Sequence, residues 1–302
     1  MTISSVFLVG TLFSGSTLLG RDLTTHLNGT HYIGEMHNLV RVPGLSHRWT
    51  PSGCHPCYLL RRDCPHFTPE LLDRSSADDI GGLHAALRAS LGVSVVVDGS
   101  KYVAWLQTAA AQAGWRMPGA AVVVITRNPI AFAMSHRNRS EEPLWRGSTV
   151  WRDTYVDALR TINAAGLPAM VVRYEDFIAD PVATRARVAG LLGQSVRDEP
   201  LLDGLHEVGG NMSSLVPYLG VERVSGLVAQ LSDPEEREDA ELFLKQARAY
   251  WQDGAPREDD RWQRSLDAGQ INEVLSQPGL ADVASLLGYN VAELAARAIR
   301  AA

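Results

Sequence analysis

The chain alternates between short runs of apolar residues and longer segments in which apolar residues recur at helical spacing. Continuous apolar runs are typical of strands that are buried on both faces of a sheet. We predict strands at residues 6–9, 31–35, 93–98, 120–127 and 168–176. Helical spacing predicts helices at residues 17–27, 101–113, 130–139, 149–165 and 181–192. Strands that alternate with helices indicate an α/β fold with a parallel sheet, which binds ligands at the carboxyl ends of its strands.

Two regions do not follow this alternation. Residues 41–79 are rich in Pro, Gly, Cys and His and show little periodicity, so we interpret them as an insertion over the active face. Residues 201–302 are mostly helical in pattern, and their acidic run at 233–241 is typical of a solvated helix face. We expect residues 1–302 to form a single domain.

Composition and charge exclude several function classes. The chain has 302 residues, of which 45% are hydrophobic, so it can bury a core of ordinary size. A net charge of −6 argues against a general nucleic-acid-binding surface. The apolar runs are too short to span a membrane, and no cationic region precedes the first of them, so we expect a cytoplasmic protein.

A glycine-rich loop, GTLFSGST at residues 10–17, follows the first predicted strand. Its spacing is that of a nucleoside triphosphate P-loop, except that Ser16 stands where such loops have a lysine. Backbone N–H groups of such a loop, with a helix N-terminus behind them, bind anions, and Ser14, Ser16 and Thr17 add hydroxyl groups. The alternative is a tight turn between strand and helix that binds no ligand.

A second phosphate-binding element is predicted after the strand at 120–127. Arg127 ends that strand, and Ser135 follows eight residues later on a helix. An arginine with paired charge-assisted bonds and a serine hydroxyl can hold a phosphate together. The alternative for Arg127 is a surface arginine at a strand end. We interpret Glu175 and Asp176, in the segment RYED, as structural capping residues.

In their order along the chain, these segments resemble the PAPS-dependent sulfotransferases, which use 3′-phosphoadenosine 5′-phosphosulfate as the sulfuryl donor. The resemblance is strongest to a bacterial subgroup with a GxxRSGSTLL loop and a Cys-rich insertion. It covers nearly the whole chain and is carried by eight features: GTLFSGSTLL, Glu35, GCHPC…DCPHF, DGSK at 98–101, RNP at 127–129, RYED at 173–176, GN at 210–211 and LGY at 287–289.

The resemblance implies a P-loop-type sheet and assigns roles to individual residues. The 5′-phosphosulfate would be held by Ser14, Gly15, Ser16 and Thr17. Because this ligand is not a Mg²⁺-bound triphosphate, the loop does not need the lysine of a nucleoside triphosphate P-loop. Arg127 and Ser135 match positions that bind the 3′-phosphate. Tyr174 matches a residue close to the adenine, and Asn211 of the GN segment joins the donor-binding residues.

Two positions depart from the family pattern. Phe13 replaces an Arg or Lys whose positive charge contacts the transferring sulfuryl group in the family. The loss of such a charge costs on the order of 10²–10³-fold in rate. Lys101 of DGSK is our candidate for the replacing cation; the alternative is a surface lysine at a helix start. Ser214 replaces the arginine of the family segment GNxxR, and that puts one contact with the 3′-phosphate in doubt.

The acceptor must lose a proton as it attacks. Glu35 follows a short apolar strand and is expected to face the cleft, so it is our candidate for the general base. His37 is the second candidate, because an imidazole titrates near neutral pH. We favour the alternative that His37 is a polar loop residue.

The three cysteines of the chain lie within eleven residues, which suggests a metal site. Four ligands from Cys54, Cys57, Cys64 and His66 would complete a tetrahedral structural Zn²⁺ site in a reducing compartment, with His55 as a spare ligand. A disulfide with one free thiol, or three packed thiols, are the alternatives.

The sequence therefore predicts an enzyme of specialised metabolism that transfers a sulfuryl group in line from PAPS to a hydroxyl or amine of a small-molecule acceptor. Residues 41–79 and 215–224 are expected to shape the acceptor pocket. A P-loop kinase or NTPase is one alternative, with Asp98 as its Mg²⁺-binding acid. A sulfotransferase homologue that binds the nucleotide without turnover is the other.

Overall fold

The computed structural model describes residues 2–39, 54–59, 63–68, 70–71, 77–112, 119–201, 204–210, 221–234, 237–238, 240–242, 244–245 and 258–301. Much of the predicted insertion at 41–79 lies outside these residues, as does the larger part of 211–257. Asn211 and Ser214 belong to the second of these regions, so their predicted roles lie outside the described residues.

Parallel strands form one sheet in the order β2-β3-β1-β4-β5. The order reverses next to β1, and such a switch point opens a crevice at the carboxyl ends of the strands. This arrangement confirms the predicted α/β class with a parallel sheet. The strands are β1 (Ser5–Val9), β2 (Thr30–Gly34), β3 (Val95–Lys101), β4 (Ala120–Thr126) and β5 (Ala169–Arg173).

Helices cover both faces of the sheet. Alternate residues of β1 enter opposite cores, with Phe7 and Val9 on one face and Val6 and Leu8 on the other. The helices include α1 (Ser16–His26), α2 (His55–Leu59), α3 (Ile80–Leu91), α4 (Val103–Ala111), α5 (Pro129–Ser140), α6 (Leu144–Ala165), α7 (Tyr174–Ala179), α8 (Pro181–Leu192), α9 (Val221–Ala229), α10 (Arg261–Ser265), α11 (Ala268–Leu275), α12 (Leu280–Leu286) and α13 (Val291–Ala301).

The end of β3 differs from the prediction. The sequence pattern predicts that this strand ends at Asp98 and that a helix begins at Lys101. In the structure, β3 continues to Lys101 and α4 begins at Val103. The carboxylate of Asp98 is fully buried and accepts hydrogen bonds from the backbone N–H and the hydroxyl of Ser100. These bonds stabilise the extended chain beyond the apolar run, so Lys101 is held by the sheet.

Two helix boundaries also differ. Helix α6 begins at Leu144, five residues before the predicted start, and Pro143 before it has the extended conformation usual for a residue that precedes a helix. The sequence pattern predicts that the fifth strand continues through Tyr174. In the structure, Tyr174 is instead the first residue of the short helix α7. None of the helices in the described part of the chain combines the length and apolar character that a bilayer-spanning helix needs.

Candidate active site

The glycine-rich loop runs from the end of β1 to the first turn of α1. Gly15 has a φ of 90°, and a Cβ there would lie 2.5 Å from the Tyr174 ring, so only glycine fits. Ser14 is fully buried, and its Oγ has no hydrogen-bond partner among the described residues. A buried hydroxyl without a partner is costly. The loop therefore offers an anion this hydroxyl together with the N–H groups that begin α1.

Lys101 lies directly beside this loop. Its carbonyl oxygen accepts a hydrogen bond of 3.1 Å from the backbone N–H of Gly10. Its backbone has a left-handed φ of 62°, which is strained for a residue with a side chain and is often found at functional sites. Its Nζ forms an ion pair with Oε1 of Glu35. The structure thus brings together the residues predicted as the base and as the replacing cation.

A buried network holds the end of β3 in place. Asp98 accepts hydrogen bonds from Nε2 of His84 at 3.1 Å and from Nε1 of Trp105 at 2.7 Å, in addition to those from Ser100. Burial alone would raise the pKa of Asp98, but the bonds from His84, Ser100 and Trp105 outweigh it and lower this pKa. The ionised Asp98 therefore fixes the turn that carries Lys101.

Glu35 is positioned by a segment from a distant part of the chain. Its backbone N–H donates to the carbonyl of Val208 at 2.7 Å, and the N–H of Val208 donates to Ile33 at 3.0 Å. Next to Val208, the carboxylate of Glu207 forms a buried ion pair with Arg21. Burial raises the pKa of Glu207 although Arg21 opposes the shift. Residues 206–210 thus act as a short addition to the edge strand β2.

His37 is packed close to the same site. Its N–H donates to Oγ of Ser100 at 3.1 Å, and its ring lies edge-on to Tyr102 with 4.8 Å between the ring centroids. The residue is only 2% exposed. Glu35, with 15% of its side chain exposed, is the more accessible of the two candidate bases.

Arg127 lies where the sequence predicts it, at the carboxyl end of β4, but its charge is already paired. One guanidinium nitrogen donates to the carbonyl of Phe13 at 3.1 Å and another to Asp259 at 2.5 Å. The guanidinium also lies 5.1 Å from the centroid of the Tyr174 ring. Burial alone would raise the pKa of Asp259, but its bond with Arg261 and the charge of Arg127 lower it. A ligand phosphate at Arg127 therefore meets a carboxylate.

Helix α5 brings a further cation to the loop. Ser135 is half-buried on this helix, and Arg139 follows it by about one helical turn. The guanidinium of Arg139 lies 4.0 Å from the centroid of the Phe13 ring. Sequence reasoning missed Arg139, although its spacing of four residues from Ser135 was the available indication. A positive charge therefore lies next to the position where the family pattern has one.

The segment RYED serves the fold, but not by the predicted capping, because helix α7 has no side-chain cap bond at its start. Oε1 of Glu175 accepts a hydrogen bond of 2.8 Å from the N–H of Asn128, and Oε2 accepts one of 2.7 Å from Tyr289. Asp176 forms an ion pair with Arg173. Tyr174 is the member of the segment whose ring contacts the glycine-rich loop.

The three cysteines meet a histidine from outside the insertion. The Nδ1 atom of His206 lies 3.8, 3.4 and 3.4 Å from the sulfur atoms of Cys54, Cys57 and Cys64. All four residues are buried, none of the three cysteines forms a disulfide, and the four ligand atoms lie within 4.8 Å of one another. This Cys₃His cluster could hold a metal ion.

The structure corrects the predicted fourth ligand. Nδ1 of His66 lies 3.1 Å from Oγ of Ser90, and the His66 ring packs edge-on against the His206 ring at 4.5 Å. His66 thus lines the cluster without joining it. The prediction relied on closeness in sequence, whereas His206 follows Cys64 by 142 residues.

The parallel sheet with a glycine-rich loop between β1 and α1 defines a P-loop-type α/β protein. The model of the "Sulfotransferase family" matches residues 5–198, which is more than half of the chain. The chain therefore belongs to the sulfotransferase family. No curated protein matches it significantly.

Several solved sulfotransferase structures are similar to this chain. The sulfotransferase from Alicyclobacillus acidocaldarius is 21% identical over 79% of this chain and 100% of its own, with a TM-score of 0.42. The sulfotransferase domain of the Synechococcus PCC 7002 olefin synthase is 19% identical over 84% and 95%, with a TM-score of 0.46. The sulfotransferase domain from the curacin biosynthetic pathway is 16% identical over 81% and 99%, with a TM-score of 0.49.

Proposed function

We propose that this protein transfers a sulfuryl group from PAPS to a hydroxyl or amine of a small-molecule acceptor. The observation that carries the proposal is the Glu35–Lys101 pair, which lies at the end of β3 beside the anion-binding loop. A carboxylate and a cation at one anion site supply the two groups that an in-line transfer requires, a base and a counter-charge.

The donor is proposed to bind across the carboxyl ends of β1 and β4. Ser14, Gly15, Ser16 and Thr17 would hold the 5′-phosphosulfate at the start of α1. The Tyr174 ring packs against Gly15 of the loop and would lie close to the adenine. The 3′-phosphate-binding set is Arg127, Ser135 and Asn211.

In the proposed reaction, the acceptor oxygen or nitrogen attacks sulfur and forms a new bond to it. The bond between sulfur and the bridging oxygen of the phosphosulfate breaks, and its electron pair stays on the phosphate. Glu35 takes the proton of the acceptor, and Lys101 stabilises the negative charge on the leaving phosphate. The second product is adenosine 3′,5′-bisphosphate.

This reaction can be tested with PAPS that carries a radiolabelled sulfate. The purified protein is incubated with hydroxyl and amine acceptors of several classes, including specialised-metabolite and lipid-like alcohols. We expect label to move to at least one acceptor while adenosine 3′,5′-bisphosphate forms in equal amount. Binding of the bisphosphate without transfer to any class would favour the alternative, a homologue that binds the nucleotide without turnover.

A kinase or NTPase is disfavoured by the surroundings of Asp98. A Mg²⁺-binding carboxylate must reach the metal, directly or through water. Asp98 is fully buried and already accepts bonds from His84, Ser100 and Trp105. We therefore expect turnover to proceed without added Mg²⁺, in contrast to a kinase.

Arg139 is proposed to compensate for Phe13 together with Lys101. Replacing Arg139 with methionine keeps an apolar contact with the Phe13 ring but removes the charge. We expect kcat/KM for PAPS to fall by about tenfold, the size of one lost charge-assisted contact. Arg137→Met, two residues earlier on α5, is the control, and an equal loss in both variants would contradict the role of Arg139.

Asp259 is proposed to compete with the 3′-phosphate for Arg127. Asp259→Asn keeps the size of the side chain and removes its charge. We expect adenosine 3′,5′-bisphosphate to bind about tenfold or more tightly, because like charges at an interface cost several kcal/mol. In calorimetry, adenosine 5′-monophosphate, which lacks the 3′-phosphate, should bind both proteins equally.

The neighbouring residue provides the control for this prediction. Asp260 is exposed and forms an ion pair with Arg264 at 3.1 Å. Asp260→Asn should leave both nucleotide affinities unchanged. If Asp259→Asn binds the bisphosphate no better than the wild type does, the 3′-phosphate does not lie at Arg127.

The cofactor that we propose besides the donor is a structural Zn²⁺ at the Cys₃His cluster. Three sulfur ligands and one imidazole favour zinc in a closed tetrahedral site, which takes no direct part in the reaction. A reducing compartment such as the cytoplasm suits this proposal, because the thiols must stay reduced.

A further inference from the structure

We infer that a metal ion at Cys54, Cys57, Cys64 and His206 positions the general base Glu35, in addition to holding the insertion. This inference rests on the proposed function, because it gives Glu35 the role of base. The metal would act through residues 206–210, which connect the cluster to the edge strand β2.

The spacing of the ligand atoms agrees with a tetrahedral zinc site. Zn–S bonds of about 2.3 Å and Zn–N bonds of about 2.0–2.1 Å at tetrahedral angles place nitrogen and sulfur about 3.5–3.6 Å apart. The distances from Nδ1 of His206 to the three sulfurs, 3.4, 3.4 and 3.8 Å, bracket this value. The cluster therefore has the size that the ion requires.

The surroundings of the cluster also suit a closed metal site. The backbone N–H of Phe67 donates to the sulfur of Cys64 at 3.3 Å. Hydrogen bonds of this kind orient metal ligands from outside the coordination shell. All four ligands are buried, which leaves no open position for a substrate. The site is therefore structural.

His206 connects the cluster to Glu35 through two further residues. The carbonyl of Glu207 accepts a hydrogen bond of 2.8 Å from the N–H of His55, which lies between two of the cysteines. The carbonyl of Val208 accepts the N–H of Glu35 at 2.7 Å. A metal ion that holds His206 in place therefore also holds the backbone of Val208, to which the N–H of Glu35 is hydrogen-bonded.

Close contacts at Gly34 make this connection stiff. A Cβ at Gly34 would lie 2.2 Å from the carbonyl oxygen of Val208, so the two backbones touch directly. Glu35 is the next residue, and its carboxylate reaches Lys101 from there. A shift of residues 206–210 would therefore move the carboxylate, and a displacement near 1 Å can cost about 10²-fold in rate.

Most of the donor loop is held by other contacts, although Gly210 packs against Thr17 and precedes Asn211 of the proposed donor-binding set. Gly10 is packed against the carbonyl of Ile125 on β4, and its N–H is bonded to Lys101 on β3. We therefore expect loss of the metal to lower kcat by a larger factor than the affinity for adenosine 3′,5′-bisphosphate. A general loss of folding would lower both.

Histidine variants with matched controls test the inference. His206→Ala removes the proposed ligand. His66→Ala removes the neighbouring ring, 4.5 Å away, that the structure places outside the ligand set. His206→Cys converts the site to four cysteines, which also bind Zn²⁺. Bound zinc is measured by elemental mass spectrometry, and the Co²⁺-substituted proteins are examined for the absorption of tetrahedral thiolate sites.

We expect wild type, His66→Ala and His206→Cys to hold one zinc ion per chain and His206→Ala to lose it. With the loss, kcat should fall by about 10–100-fold, while calorimetric affinity for the bisphosphate falls by a smaller factor. His206→Cys should restore most of the rate. Zinc retained by His206→Ala, or zinc lost with kcat unchanged, overturns the inference.

A readout without turnover separates this inference from the proposed function. Amide hydrogen exchange of Glu35, whose N–H is bonded to Val208, should accelerate when zinc is removed from the wild type by a chelator and slow again when zinc returns. The change in amide exchange is expected even if no acceptor is sulfated. It also covers the case in which His206→Ala does not fold. Unchanged exchange at Glu35 in the metal-free wild type overturns the inference.

Discussion

Replacing Lys101 with alanine is expected to lower kcat by about 10²–10³-fold, the loss typical of one group that stabilises developing charge. The reason is that Phe13 leaves the loop without a cation of its own, so the leaving phosphate depends mainly on Lys101, with a smaller contribution from Arg139. The measurement is the initial rate of sulfuryl transfer from PAPS at saturating acceptor. Calorimetry should find the affinity for adenosine 3′,5′-bisphosphate reduced much less than kcat.

The chain offers a matched control for this variant. Lys245 is its other lysine and is exposed. Lys245→Ala should keep the full rate. Alanine also tolerates the left-handed backbone at position 101 no better than lysine does, so the variant adds no relief of strain. A rate for Lys101→Ala near that of the wild type would remove Lys101 from the reaction.

Replacing Glu35 with glutamine is expected to lower kcat by about 10²–10⁴-fold, the range for a lost general base. Glutamine has the same shape and can still accept a hydrogen bond from Lys101, but it cannot take up the acceptor proton at neutral pH. The rate of sulfuryl transfer measures the effect. The bisphosphate should bind as tightly as it does to the wild type, because Glu35 does not belong to the donor loop.

An exposed glutamate serves as the comparison for Glu35. Glu199 is exposed in the stretch after α8, and Glu199→Gln should change neither the rate nor the nucleotide affinity. If Glu35→Gln keeps more than about a tenth of the wild-type rate, another group accepts the proton. His37→Ala then decides whether the nearby imidazole is that group.

The strands and the glycine-rich loop after β1 could be predicted because their signals are local. A continuous apolar run such as Ala120–Thr126 is typical of a buried strand, whichever neighbours it later acquires. Gly10 and Gly15 mark a loop that follows a strand, and both prove to lie where a Cβ would collide with neighbouring atoms. The order of the motifs also placed Glu35 and Lys101 at one end of the sheet.

The contacts that complete the site could not be predicted, because they join segments that are far apart in sequence. His206 meets cysteines 142 or more residues away, and the sequence offered the nearer His66 in its place. Asp259 reaches Arg127 across 132 residues from a stretch without a clear pattern. Local periodicity carries no information about such pairs.

Lys101 illustrates an error of local reasoning. The helical pattern from residue 101 onward suggested that the helix begins there, but the buried Asp98 extends the strand by bonding to Ser100. As the last residue of β3, Lys101 is in contact with Glu35. As the first residue of a helix, it could have lain at the surface. Burial of one carboxylate therefore decides the environment of the proposed catalytic lysine.

The central claim is that the loop binds the nucleotide of a sulfuryl donor. Calorimetric titration of the purified protein with adenosine 3′,5′-bisphosphate and with ATP, without added divalent metal ions, tests this claim most directly. We predict that the bisphosphate binds with micromolar affinity and that ATP does not bind. The account would be contradicted if ATP binds in the presence of Mg²⁺ while the bisphosphate binds neither with nor without Mg²⁺.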